Sequence, residues 1–209
     1  MTALMVRKSR ARFRTNDPAG LRSRVLDAAA ASFQSQGYGG SSMQDIVTAA
    51  GVTGGALHHH FPTKRDLARA VIAERVSDEV GETWIAAVEA APTAAQGIVG
   101  VFEDVADALD GRGAVSGCSL GNLSLELALS DEVLRGAIED EYRTWRSAIA
   151  ACLQRDADLG RAAFVGDDAA ALADTVVSMF TGAMSVAKAE QGTGALRACA
   201  LTLRRLMSP

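Results

Sequence analysis

Aromatic residues are scarce in this chain: 6 Phe, 2 Tyr and 2 Trp in 209 residues. Proline is scarcer still, with four in all and none between Pro92 and Pro209. β-Branched residues rarely cluster. Strands concentrate aromatic and β-branched side chains, and proline interrupts helices. These shortages therefore argue against a sheet protein and predict an almost entirely helical one. The three cysteines, Cys118, Cys152 and Cys199, are odd in number and far apart, with no Cys-x-x-Cys or Cys/His ligand spacing. That excludes a disulfide framework and a zinc site, and predicts reduced thiols. No metal and no cofactor is expected. No uninterrupted apolar run reaches the ~18 residues of a membrane span. The first residues, MTALMVRKSRARFR, are basic with no apolar segment behind them, unlike a secretory signal. A cytoplasmic location is expected.

Charge is unevenly distributed. Residues 1–69 carry ten basic and four acidic side chains, a net +6, against −10 in the remainder and −4 overall. A basic head on an acidic body suits a molecule that presents one end to phosphates. Within the head, residues 1–17 read as a basic arm. Arg7, Lys8, Arg10, Arg12 and Arg14 either reach into a minor groove or form a solubilising tail.

Residues Ser41 to Lys64, SSMQDIVTAAGVTGGALHHHFPTK, hold the clearest local grammar. Ser42-Met43-Gln44-Asp45 has the form of a capping box opening a short helix. Ile46, Val47, Ala49 and Ala50 give that helix an apolar side, and Gly51 can take the left-handed conformation that ends it. Thr53 can cap a second helix in which Ala56, Leu57 and Phe61 recur at helical spacing. Pro62 stops it, and Thr63-Lys64-Arg65-Asp66 repeats the capping-box form. Two short helices around a Gly turn form the helix-turn-helix pattern, whose second helix enters the major groove.

With RVLDAAAASFQSQGY ahead of it and the third helix behind, this stretch resembles the N-terminal domain of the TetR family of bacterial transcriptional regulators, over Arg22 to Val71. The resemblance implies an all-α protein: a helix-turn-helix DNA-binding domain over residues 18–66 and a ligand-binding and dimerisation domain over 67–209. It also implies DNA contacts by Thr53 at the start of the reading helix and by Gly54 and Gly55 through exposed backbone. His58 stands where relatives usually have Tyr; His59 and His60 follow, and Lys64 matches a typical phosphate contact. Ser42 and Gln44 are further candidates, although Ser42 also serves as a cap. Three consecutive histidines on a helix splay by ~100° per residue, which does not converge on a metal.

The body reads as further helices: the long one from Thr63 towards Ala90, one with Pro92 at its first position and ending near Gly111, one through CSLGNLSLELALS, one from Ser130 to about Arg155, one from Asp167-Asp168 to Glu190, and a last from Thr193 to Leu206. Ser116 to Glu126, SGCSLGNLSLE, resembles a segment of the LmrA/YxaF-like subset. In that subset the helix it opens lies between ligand pocket and DNA-binding head. The buried amide of Asn122 needs a partner, from a neighbouring helix or from a ligand. Cys118 can be a small buried hydrophobe, a pocket-lining thiol or a redox sensor whose pKa a helix N-terminus lowers. A nucleophilic role is disfavoured, because the only histidines lie in the head; no enzyme activity is expected. Pocket candidates are Trp84, Phe102, Cys118, Leu120, Asn122, Leu123, Tyr142, Trp145, Met179 and Met184. Leu172, Val176, Phe180, Ala183 and Ala187, with Leu201 on the last helix, are expected to form a homodimer face. The resulting expectation is a repressor released from a palindromic double-stranded DNA operator by a small-molecule effector. Histidines set against phosphates gain attraction on protonation, so salt-matched operator titrations are expected to show tighter binding at about pH 6 than at about pH 8. A flat profile would remove His58 and His60 from the phosphate contacts.

Overall fold

Asp17 starts the first helix: its Oδ1 accepts from the Gly20 N–H at 2.9 Å, and Pro18 takes the first position, where no N–H is needed. The structure, a computed structural model, describes residues 17–161 and 169–207. The expected basic arm and the Asp167-Asp168 helix start fall outside them, apart from Asp17. α1 (Pro18–Gly40) is broken at Gly37, whose φ of 77° is outside the helical region, so its last three residues form a separate turn. α2 (Met43–Ala50) is capped by Ser42, whose Oγ accepts from the Asp45 N–H at 3.1 Å. The Asp45 carboxylate closes on the Ser42 hydroxyl at 2.5 Å, where the capping-box reading expected the backbone N–H. Gly51 ends α2 at φ 63°, ψ 37°, and α3 (Gly54–His60) follows behind the Thr53 cap.

α4 is one long helix over residues 64–90. It opens on a complete capping box between Thr63 and Asp66. Two of its stretches, Val71–Val76 and Gly81–Ile85, are wound as π-turns. α5 (Ala94–Asp110) is capped by Thr93, with Pro92 just outside it and not at its first position. α6 (Ser119–Leu127), α7 (Glu132–Asp158), α8 (Ala169–Glu190) and α9 (Gly194–Leu206) complete an all-α fold with no strand among the described residues.

The head core joins Val25, Leu26, Ala29 and Phe33 of α1 to Ile46, Leu57, Phe61 and Leu67. Arg22 binds Glu74 through both guanidinium nitrogens at 2.6 and 2.5 Å, and Arg75 binds Asp27 at 2.7 Å, tying α1 to α4. In the body, the rings of Trp84, Phe102, Trp145 and Phe180 form one cluster, with centroids from 4.8 Å (Trp84–Phe180) to 5.9 Å (Trp145–Phe180) apart. Tilted and edge-to-face pairs at such distances are the favoured geometry for aromatic rings.

One helix is apolar enough to note, and one expectation changes here. α8 spans 22 residues with a mean hydropathy of 1.4 over its best window, so by length and composition alone it could cross a membrane. In this fold its buried side packs on α7 and α9. The dimer-face residues Val176, Phe180, Ala183 and Ala187 are buried inside the protomer, and Leu172 is half-buried against its core. Each belongs to the side of α8 that faces inward. The outward side carries Thr175, Ser178, Gly182, Ser185 and Val186, beside exposed Leu201 on α9.

Close approach of α4 and α5 depends on Gly97: a Cβ there would stand 2.7 Å from Val88 Cα and 3.0 Å from Ala91 Cβ. Gly100, one turn on, has nothing within 4 Å of such an atom. Gly97→Ala is expected to cost about 1–3 kcal/mol through overpacking. Gly100→Ala should add about 0.5–1 kcal/mol by helix propensity. Urea denaturation of the two variants checks both signs.

Candidate DNA-reading helix and adjoining cavity

The short α3 buries one side chain, Leu57, and turns its other residues outward. Thr53 Oγ1 accepts from the Ala56 N–H at 3.2 Å, leaving the first turn to Gly54 and Gly55, where a Cβ would meet nothing within 4 Å. Gly55, His58 and His59 are exposed, and Gly54 and His60 are half-buried. His58 Nδ1 lies 3.4 Å from the Pro62 carbonyl oxygen, and the His59 and His60 rings meet edge to face at 5.4 Å. Lys64 Nζ sits 4.2 Å above the Tyr38 ring, a cation–π contact that holds its charge at the front of α4. Ser42 is exposed and bound to Asp45, and Gln44 is exposed on α2. Thus Ser42 and Gln44 lie at the start of α2, Thr53, Gly54 and Gly55 at the start of α3, His58, His59 and His60 in its last turn, and Lys64 at the start of α4. Among the described residues no group of three His, Cys, Asp or Glu side chains is placed to hold a metal ion.

Polar contacts join this head to the body. Glu126 at the end of α6 accepts from the Tyr38 N–H at 2.7 Å and from the Gly39 N–H. Arg65 Nε donates to Asp131 Oδ2 at 2.7 Å, while Asp131 Oδ1 caps α7 through Val133 and Leu134. The Leu134 N–H, aided by Arg65, holds the Asp131 carboxyl below its ordinary range. The third junction centres on Gln34 of α1. Its Nε2 donates to the Gly117 carbonyl at 2.7 Å, and its Oε1 accepts from Asn122 Nδ2 at 3.1 Å. Asn122 also donates to the Ser116 carbonyl at 2.8 Å and accepts from Lys188 of α8 at 3.2 Å. Its amide is bonded to Gln34 of α1, to the Ser116 backbone and to Lys188 of α8.

Next to this junction lies a cavity of about 420 Å³. α4 lines it with Val76, Glu79, Val80, Thr83 and Trp84, and α5 with Val105 and Leu109. The segment from Arg112 to Leu120, Trp145 of α7, and Phe180 and Met184 of α8 complete the wall, with Gln34 of the head. Both π-turns of α4 contribute to it, the first through Val76 and the second through Thr83 and Trp84. Of the expected pocket residues, Trp84, Cys118, Leu120, Trp145 and Met184 are in the wall. Phe102 is fully buried behind it, and Leu123 faces a small gap between α1 and α4. Tyr142 borders a separate shallow groove, and Met179 is half-buried on α8 outside the wall. Phe180, expected at a dimer face, belongs to the cavity. Gln34, Glu79, Thr83 and Arg112 escaped the sequence reading; Glu79 and Thr83 shared the spacing of Val76, Val80 and Trp84, but polarity hid them.

Cys118 caps α6, its Sγ accepting from the Gly121 N–H at 3.5 Å. Burial nevertheless outweighs that hydrogen bond and pushes the thiol up to about 11. Of the readings open for Cys118, a thiol pKa lowered by the helix N-terminus is not the one its surroundings favour.

A three-helix head with an outward third helix, built onto an all-helical body with its own cavity, is the arrangement of a helix-turn-helix DNA-binding regulator. Residues 25–71 match the family described as bacterial regulatory proteins, tetR family, and residues 94–202 match the LmrA/YxaF-like transcriptional regulator C-terminal domain. The chain belongs to the TetR family, with an LmrA/YxaF-like body. It is 27% identical over 126 residues to the HTH-type transcriptional regulator LmrA of Bacillus subtilis, covering 60% of this chain and 67% of that protein. It is also 27% identical over 173 residues to the HTH-type transcriptional repressor DhaR of a Mycobacterium species, covering 82% and 84%. The fold is shared with the reduced form of NemR from E. coli, at a TM-score of 0.82 and 17% identity over 90% of this chain and 97% of that one. LmrA and DhaR carry the names of a transcriptional regulator and a transcriptional repressor, in keeping with the family of this chain.

Because its thiol titrates near 11, Cys118 carries little thiolate at neutral pH. Iodoacetamide at pH 7.5 is expected to label Cys118 of the native chain at least about ten-fold more slowly than in urea, as followed by peptide mass spectrometry. Equal rates would show that burial does not control this thiol.

Proposed function

We propose that this regulator binds a near-palindromic operator as a homodimer and is released from it by a small molecule held in the cavity. The observation that carries the reading is the position of Gln34, which belongs at once to the first head helix, to the cavity wall and to the Gly117–Asn122 junction. A ligand that takes Gln34 as a partner, or moves the Arg112–Leu120 segment, alters how α1 is held. α6 transmits the same movement through Glu126 to the turn at Tyr38 and Gly39. The ligand then favours the conformer in which two heads misfit their half-sites.

The DNA surface in this reading is the α3 face with Ser42, Gln44 and Lys64. With Gly54 and Gly55 at its first turn, it relies on backbone and phosphate contacts more than on long side chains. The domain limits are those of a head over residues 18–66 and a body over 67–209, with α4 continuous across the boundary. Dimerisation uses the outward side of α8, including Thr175, Ser178, Gly182 and Val186, with Leu201 of α9. A twofold dimer sets half-sites about one helical turn apart. A protein working on DNA in this way acts in the cytoplasm.

Fluorescence anisotropy with the promoter next to the chain's own coding region tests the reading. Wild-type protein is expected to bind it, and an effector found by thermal-shift screening to weaken binding about 5- to 150-fold. Gln34→Leu should keep operator affinity within about three-fold while reducing that effector response towards unity. No binding to double-stranded DNA would sink the reading, and an undiminished response in the variant would remove Gln34 from the relay.

A further inference from the structure

The cavity wall is sorted by depth. Val80, Trp84, Leu120, Trp145, Phe180 and Met184 are buried and apolar, and form its floor. The polar wall residues lie nearer to solvent: Glu79, Arg112 and Ser116 are exposed, and Gln34, Thr83 and Ser119 are half-buried. They form a rim. The volume of about 420 Å³ admits a molecule of drug-like size. An occupant that matches this wall throughout has an apolar body below and a polar end above.

Two residues of the rim are ionised and opposite in sign. Glu79 stands on α4, where its carboxylate adds to burial in pushing up the Cys118 thiol of the same wall. Arg112 follows α5, in the segment that runs to Gly117. Among the described residues, neither side chain forms an ion pair or a hydrogen bond, in contrast to Arg22, Arg65, Arg75 and Arg197, each of which holds a carboxylate. In open water both charges are hydrated and need no partner. A molecule seated in the cavity covers the rim and removes part of that water. An uncharged cover returns nothing for it, a cation satisfies Glu79 but opposes Arg112, and an anion does the reverse. A group that carries both signs meets both.

We infer that the ligand of this cavity is an amphiphile with a zwitterionic end group, its cationic part held by Glu79, its anionic part by Arg112 and its apolar body on the floor beneath. The inference rests on the cavity being the effector site proposed above. It also gives the end group a lever. Glu79 belongs to the helix that head and body share, whereas Arg112 belongs to the segment whose far end, Gly117, accepts from Gln34. A ligand that draws the two together pulls on the Gln34 junction.

Biphenylalanine, biphenylethylamine and biphenylpropanoate share one apolar body and carry, in turn, both charges, the positive one alone and the negative one alone. Isothermal titration of the full chain in about 20 mM salt is expected to show biphenylalanine binding at least about five-fold tighter than either relative, the scale of exposed ion pairs. Near 1 M salt, where the screening length falls to about 3 Å, that advantage should drop below about two-fold. Glu79→Gln should abolish the advantage over biphenylpropanoate and keep the one over biphenylethylamine, and Arg112→Gln should do the reverse. Both side chains are exposed, and a crossed pattern of this kind does not arise from misfolding. Equal affinities, or tighter binding of either singly charged probe, would overturn the inference and leave the cavity standing as a ligand site. Failure of all three probes to bind would overturn it and count against the cavity as an effector site as well.

Discussion

The structure depends on one apolar seam that runs without a break along α4, from Leu67, Ala68 and Val71 through Ile72, Val76 and Val80 to Trp84 and Val88. The first three helices are too short to enclose a substantial core among themselves, and small units bury a low fraction of their surface. They complete their core on the front of α4. The back of the same helix supplies one wall of the body, where Trp84 anchors the ring cluster. Because the helix is continuous, head and body share a single rigid element whose burial neither can forgo. The Arg22–Glu74 and Arg75–Asp27 pairs fix its rotation against α1, although such partly exposed pairs contribute little net stability.

Around that seam, the remaining links between head and body are polar and directional. Gln34, Glu126 and Asp131 each hold two or more partners at once, so none can turn without leaving an unpaired atom. Apolar packing tolerates sliding, whereas hydrogen bonds of this kind favour a small number of discrete arrangements. The Gly117 backbone shows how tightly the junction is fitted: at φ 87° a Cβ would lie 3.0 Å from Asn122 Oδ1 and 3.1 Å from Lys188 Cδ. Two stable settings separated by such contacts are the physical requirement for a switch.

Much of this was legible in the amino-acid order because it is locally encoded. Ser42, Thr53 and Thr63 cap helices, Gly51 turns left-handed, and Asp131 starts α7, each through contacts within a few residues. The helix count and the reading helix follow from such signals. Cavity membership does not, because it depends on how helices distant in sequence rotate against each other. Periodicity identifies the apolar side of α8 but not which neighbour it meets: Phe180, Ala183 and Ala187, read as a dimer face, are buried within the protomer. Phe102 and Trp84 look equivalent in sequence, yet one lies a layer behind the wall and the other forms it. Gln34 gave no sequence signal, since its partners are more than eighty residues away. The π-turns of α4 were equally hidden, although the second opens on Gly81.

The bare first turn of α3 has a consequence for descent. Gly54 and Gly55 look into open space, and glycine is among the poorest residues for a helix. Replacing either with a larger residue would relieve a small thermodynamic handicap and meet no steric barrier. Mutations at these two positions are thus shielded from the stability threshold that removes most substitutions elsewhere. On the proposed reading of α3 as the DNA-facing helix, sister copies of a duplicated gene could drift apart in the DNA they prefer while keeping the same core, the same cavity and the same junctions. Two codons would then change the output, with the proposed effector site inherited intact.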